Sequence, residues 1–212
     1  MHPDTFLLRD GDRVVFAGDS ITADPVGYTK LVSDLVHAAY PDRDIIFINA
    51  GAGGSRSVDL QARLETDVLG KQPTWVTISA GVNDVARFVT NPAEAVTLKE
   101  FQSAITDMVS RLQTAGVQVG LLTTTVFEHT WRSAEEAQWV NELLVPYNMW
   151  LEEYAAEQAL LLVPMWQAFN EALAEGRARD PNFSLTADGV HLNDVGRSLM
   201  ALTWLRAFGF VW

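Results

Sequence analysis

"VVFAGDSITADP", Val14 to Pro25, runs four apolar residues straight into a glycine, an acid and a hydroxyl. Arg13 to Ala17 has the length and β-branched content of a buried parallel strand. A strand made for a core has no packing reason to finish in Gly18-Asp19-Ser20. In an α/β protein the reason is positional: ligands gather outside the carboxyl ends of parallel strands, where the turn into the next helix leaves backbone N–H groups unpaired. Ser20 falls at such a turn.

Four more short apolar runs follow, Ile45 to Ile48, Trp75 to Ser79, Val117 to Thr123 and Leu160 to Val163. Helical patterns lie between them. Tyr28, Leu31, Val32, Leu35, Val36 and Ala39 form one stripe, and Phe101, Ala104, Ile105, Met108 and Leu112 form another before Gly116 closes the segment. Strand and helix in alternation imply right-handed crossovers, and so a three-layer α/β/α sandwich around a central parallel five-stranded sheet. The 212 residues suit one domain, 1–212, with no internal repeat, low-complexity tract or dividing linker. "FEHTWRSAEE", Phe127 to Glu136, is the most loop-like interior stretch and a candidate rim or lid.

The formal charge of −12, with 15 Lys and Arg scattered along the chain, repels phosphate backbones and anionic lipid surfaces. A neutral partner fits better than a nucleic acid or a membrane. No run approaches the roughly 20 apolar residues of a membrane span, and "MHPDTFLLRD" lacks the pattern of a secretory signal, so the expected compartment is the cytoplasm. The absence of cysteine excludes disulfides, thiolate metal sites and a thiol nucleophile. No His-Glu-x-x-His spacing or carboxylate cluster points to a metal.

Three further pieces sit where the remaining cleft-facing ends should be. "NAGAGGSRS", Asn49 to Ser57, follows the second strand, and its glycines let backbone N–H groups approach a ligand. "SAGVND", Ser79 to Asp84, follows the third and offers the Asn83 amide. "ADGVHLND", Ala187 to Asp194, precedes a helix expected over Asn193 to Ala207. Asp188 and His191 are three apart, and a helix-like turn would bring their Cβ atoms to roughly 5–6 Å. Taken singly, each piece reads equally well as a turn or a helix cap. Their coincidence at successive strand ends is what argues for one site. Of the other histidines, His2 is near the terminus, His37 on a helix stripe and His129 in the loop.

In this order, "GDSIT", "NAGAGG", "GVND" and "DGVH" resemble the four sequence blocks of the SGNH (GDSL-type) hydrolases, whose fold is flavodoxin-like. The resemblance implies Ser20 as nucleophile, His191 as general base and Asp188 as the triad acid. It also implies an oxyanion hole from the N–H of Ser20, the N–H of Gly54 (Gly53 being the second choice) and the amide of Asn83. Asp19 and Asp84 take supporting roles, and the mechanism needs no cofactor. A serine hydroxyl is a weak nucleophile until a neighbouring base takes its proton, which is why these residue types belong together.

"GYTKLVSDLVHAAYP", "DLQARLETDVLGKQPTWV" and "LTWLRAFGFVW" are similar to bacterial acetylxylan esterases and related carbohydrate deacetylases. That likeness implies an acetylated sugar as substrate and a homo-oligomer, although Ala187 and Leu192 stand where those relatives carry an aromatic and a proline. Trp131, Trp139 and Tyr147 are the candidate sugar contacts, set against the tendency of seven tryptophans to report core packing. Two other functions use the same features. One is a short-chain lipid esterase or thioesterase; the other is a noncatalytic module binding an anion or nucleotide, against which stands the absence of a G-x-x-x-x-G-K-[ST] loop. The apolar tail "FGFVW" either folds back on the body or joins a subunit interface.

Overall fold

Five strands pair in parallel: β1 (Arg13–Gly18), β2 (Ile46–Gly51), β3 (Trp75–Ser79), β4 (Gln118–Leu122) and β5 (Leu161–Val163). Their spatial order is β2-β1-β3-β4-β5. The computed structural model describes residues 5–211; His2 and the final Trp212 lie outside them. β1 sits between β2 and β3, so the chain reverses its direction of winding there and opens a crevice at the carboxyl end of β1. This is where "GDS" falls.

The two-residue period of a strand sends alternate side chains to opposite layers. Val15 and Ala17 join Val76, Ile78, Val119 and Leu121 in one core, and Val14 and Phe16 join Leu122 and Val163 in the other. The first core is roofed by α3 (Ser57–Ala62), α4 (Val82–Thr90), α5 (Leu98–Thr114) and α6 (Ala134–Glu157). The second is covered by α2 (Tyr28–Ala39), α7 (Met165–Arg179) and α8 (Asp194–Ala207). A four-residue helix, α1 (Ser20–Ala23), carries the serine. Helix ends follow local chemistry. Thr97 and Glu100 form a capping box at the start of α5, Gly116 adopts φ +76° just beyond its end, and Asn193 Oδ1 accepts the N–H groups of Val195 and Gly196 to start α8.

One sequence expectation is corrected. β2 is not buried like its neighbours; it forms an edge of the sheet, half-exposed along its length, and runs on to Gly51. An apolar run reports that a strand packs, and cannot tell an edge from a centre. Gly51 is required there because α1 comes so close that a Cβ would lie 2.3 Å from the backbone nitrogen of Ala23. The described part of the tail, from Phe208 to Val211, folds back on its own chain. Leu7 N–H donates to Phe208 O at 2.9 Å, Phe208 is fully buried against Trp204, and Phe210 packs edge-on to Phe6. No helix among the described residues is long and apolar enough to cross a membrane.

Candidate active site

Gly18 ends β1 because no side chain fits: a Cβ there would meet Thr22 Oγ1 at 2.1 Å. Asp19 is buried and caps α1, its Oδ1 accepting Ile21 N–H at 2.9 Å. Ser20 is the first residue of the helix and remains partly exposed at the rim. Its Oγ lies 3.0 Å from His191 Nε2.

His191 and Asp188 come together without a helical turn, which corrects the sequence expectation. Their segment is a loop closed by an antiparallel bridge between Thr186 and Leu192, with Ala187 N–H donating to His191 O at 2.8 Å. Inside the loop Asp188 organises its own neighbours. Oδ1 accepts the N–H of Val190 at 3.1 Å and of His191 at 2.8 Å, while Oδ2 lies 2.7 Å from His191 Nδ1. Partial burial pushes the Asp188 carboxyl up, and these hydrogen bonds outweigh it, holding the group below its ordinary value. An ionised Asp188 fixes the proton on Nδ1 and leaves Nε2 free to accept from Ser20. The His191 and Asp188 side chains are 52% and 54% exposed, so the site is an open one.

The loop is held from beneath by Glu128, a residue sequence reasoning missed. Its fully buried carboxylate accepts Leu185 N–H at 2.8 Å, Thr186 Oγ1 at 2.8 Å and Ser184 Oγ at 3.0 Å, and pairs with Arg177. Glu128 N–H also donates to Gly189 O at 2.8 Å. The first half of the 127–136 segment is thus a packed wall of the rim. Trp131 stands in this wall, half-buried, its ring 4.6 Å from that of Phe127 and its backbone against Gly189. The only sequence signal for Glu128 was an acid next to an aromatic after a buried strand, a pattern shared by many surface loops.

The other two blocks meet across the crevice. Asn83 is the second residue of α4, behind Gly81 at φ +120°, and does not cap the helix; Asp84 does, accepting Gly81 N–H at 3.2 Å. Asn83 Nδ2 donates to Asp19 Oδ2 at 3.3 Å and to Ser55 O at 3.2 Å. Gly54, at φ +73°, occupies a left-handed conformation that favours glycine, whereas Gly53 is exposed and has open space around it. Asp84 is completely buried and also accepts the N–H and Oγ–H of Ser57, tying block two to block three. Burial pushes Asp84 up to about 6 against the hydrogen bonds from Ser57 and Gly81. Asp19 is likewise raised to about 6 by burial, with the Asp84 charge adding to it and the Ile21 N–H and His191 opposing. Arg63, also unforeseen, donates to Ala50 O at 2.7 Å and Gly18 O at 2.9 Å, pinning the carboxyl ends of β2 and β1.

Two candidate sugar contacts fare differently from Trp131. Trp139 is 45% exposed on the outer side of α6. Tyr147 is a core residue: its ring is buried against Phe101, and its hydroxyl is spent on Val96 O at 2.7 Å. Among the described residues no three His, Asp or Glu side chains converge as a metal site requires.

Residues 16–199 match the model of the GDSL-like lipase/acylhydrolase family, and the chain belongs to that family. It is a carboxylic ester hydrolase. Among curated proteins it is 32% identical to an acetylxylan esterase of Geobacillus stearothermophilus, over 97% of both chains. Among solved structures, Axe2, an acetylxylan esterase from the same organism, matches with a TM-score of 0.84 and 29% identity, covering 97% of this chain and 98% of the other. Catalytic mutants of Axe2 match comparably, among them alanine replacements of a serine, of an aspartate and of a histidine three positions after that aspartate. LAE5, a hydrolase from the metagenome of Lake Arreo in Spain, has a TM-score of 0.81 at 25% identity, covering 96% and 98%.

Proposed function

We propose that this protein removes small acyl groups, chiefly acetyl, from sugar hydroxyls such as those of xylo-oligosaccharides, through an acyl-enzyme on Ser20. The observation that carries the reading is the continuous chain Asp188 Oδ2, His191 Nδ1 and Nε2, Ser20 Oγ, with links of 2.7 and 3.0 Å. His191 takes the Ser20 proton as Oγ attacks the ester carbonyl, and Asp188 stabilises the imidazolium. The carbonyl oxygen becomes an oxyanion facing the N–H groups of Ser20 and Gly54 and the amide of Asn83. One such donor contributes about 3–4 kcal/mol where water is scarce. His191 then protonates the leaving sugar oxygen, and in the second half activates the water that frees acetate and Ser20.

The sugar assignment draws support from the acetylxylan esterases, similar along nearly their whole length, and from the exposed, aromatic-edged site, which admits a bulky alcohol. The test is a panel of acetylated xylo-oligosaccharides against acyl esters and thioesters of graded length. Fastest turnover of the acetylated sugars is expected. A preference for chains above about four carbons defeats it, because a lipid pocket gains ~0.8 kcal/mol per buried methylene and would reveal itself by that climb. Ser20→Ala and His191→Ala are expected to fold and lose nearly all turnover, with phosphonate labelling lost in Ser20→Ala. The reading includes a homo-oligomer, for which sedimentation giving only monomer is the contrary result.

A further inference from the structure

Arginines around the crevice are mostly spent on protein partners. Arg56 makes a two-pronged pair with Asp59 and donates to Glu94 O, and Arg63 holds two strand-end carbonyls. Arg87 is the exception. It lies on α4 four residues after Asn83, hence on the same side of the helix. A Cβ built on Gly54 would be 3.5 Å from Arg87 Nη2, so the guanidinium lies directly beside the glycine whose N–H faces the oxyanion. Its one charged partner among the described residues is Glu94, at 3.4 Å from Nε. Nε is buried without a hydrogen bond, and neither Nη makes one to a described residue. Nε faces Glu94, and the Nη donors of the planar fork open to solvent at the lip of the cleft, where a ligand can take them.

We propose that Arg87 is a specificity-determining residue, donating hydrogen bonds to the hydroxyl and ring oxygens of the acylated sugar on the Gly54–Asn83 side of the cleft. The assignment rests on the sugar-ester function proposed above. Neutral oxygens suit the position better than an anion. Glu94 already balances the guanidinium and Arg56 balances Asp59, so with Asp84 and Asp19 buried beneath the same rim a free carboxylate or phosphate would find no surplus positive charge. A sugar's oxygens accept N–H groups without adding charge. The side chain is 28% exposed, enough to be reached and restrained enough to select.

The test compares two substrates sharing the acetyl group and differing in the alcohol, an acetylated xylo-oligosaccharide and 4-nitrophenyl acetate, in the wild type, Arg87→Gln and Arg87→Lys. The ratio of kcat/KM for the sugar to that for the nitrophenyl ester should fall at least tenfold in Arg87→Gln, mainly through KM, and by less in Arg87→Lys, which keeps a donor but loses the fork. Binding of the same oligosaccharide to Ser20→Ala should weaken in parallel when Arg87→Gln is added. Equal loss on both substrates, or a ratio that does not move in an enzyme that does deacetylate sugars, overturns the assignment and leaves the function intact. A wild type active on the nitrophenyl ester and inert to acetylated sugars overturns the sugar reading and this one with it.

Discussion

Asp19 Oδ2 accepts a hydrogen bond from Asn83 Nδ2 at 3.3 Å, joining the turn after β1 to the first turn of α4 across the switch point of the sheet. The other oxygen of the same carboxylate caps Ile21. Asp19 therefore sets the attitude of the serine turn and of the amide beside it with one group. Both bonds from the Asn83 amide are long, 3.3 and 3.2 Å, so in the proposed mechanism turning an N–H toward the oxyanion would give up little.

Replacing Asp19 with Asn tests this coupling. An amide of the same shape must either withdraw its acceptor from Ile21 or present its own N–H groups to those of Asn83, which turns the Asn83 oxygen toward the site. Asp19→Asn is expected to lower kcat by about 10²-fold with little change in KM, and Asn83→Ala by roughly 10²–10³-fold. The double variant should lose far less than the product of the two. Multiplicative losses would mean that Asp19 acts independently of Asn83.

The same variant predicts a pH dependence of stability. Asp19 and Asp84 are both raised from 3.8 to about 6 when folded, so the native state holds their protons more tightly than the unfolded chain. Their contribution to stability is complete below pH 3.8 and is lost as pH rises through about 6. Asp188, Asp59 and Asp107, all lowered, act in the opposite sense as pH falls. Urea unfolding of wild type and Asp19→Asn between pH 4 and 7 reads the contribution of Asp19 with its effect on Asp84: the difference should move in the variant's favour by about 2 kcal/mol as pH rises. A pH-independent difference would place the Asp19 carboxyl at its ordinary value.

Glu128 is expected to govern stability and rate together. Glu128→Ala leaves Arg177 unpaired and removes the shared acceptor of Leu185, Ser184 and Thr186, a loss of about 3–5 kcal/mol in unfolding free energy. The loop carrying Asp188 and His191 should loosen, seen as faster amide exchange from Leu185 to His191 and a lower kcat on any ester. Native-like exchange would show that the loop holds its shape unaided.

Gly189 offers a probe of the rim that removes no polar side chain. Its φ of +92° disfavours any side chain, and a Cβ would lie 2.2 Å from Trp131 N. Gly189→Ala should push the loop and the wall apart, shift the Trp131 fluorescence and cut turnover of all esters at least tenfold. An unaltered rate would mean that this contact does not set the position of His191.

By itself the sequence determined the layered α/β architecture, because alternating apolar strand runs and helical stripes admit few other burial schemes. It also marked Ser20, Asn83, Asp188 and His191, because hydroxyl, amide, acid and imidazole at successive strand ends are costly accidents for packing alone. Only the tertiary structure decided that β2 is an edge, that Asp188 and His191 meet through a bridged loop, and that Tyr147 belongs to the core. Glu128 and Arg87 were invisible for the same physical reason. Hydropathy periods report which face of an element is buried, whereas the role of one acid or one guanidinium depends on which distant segment supplies, or fails to supply, its partner.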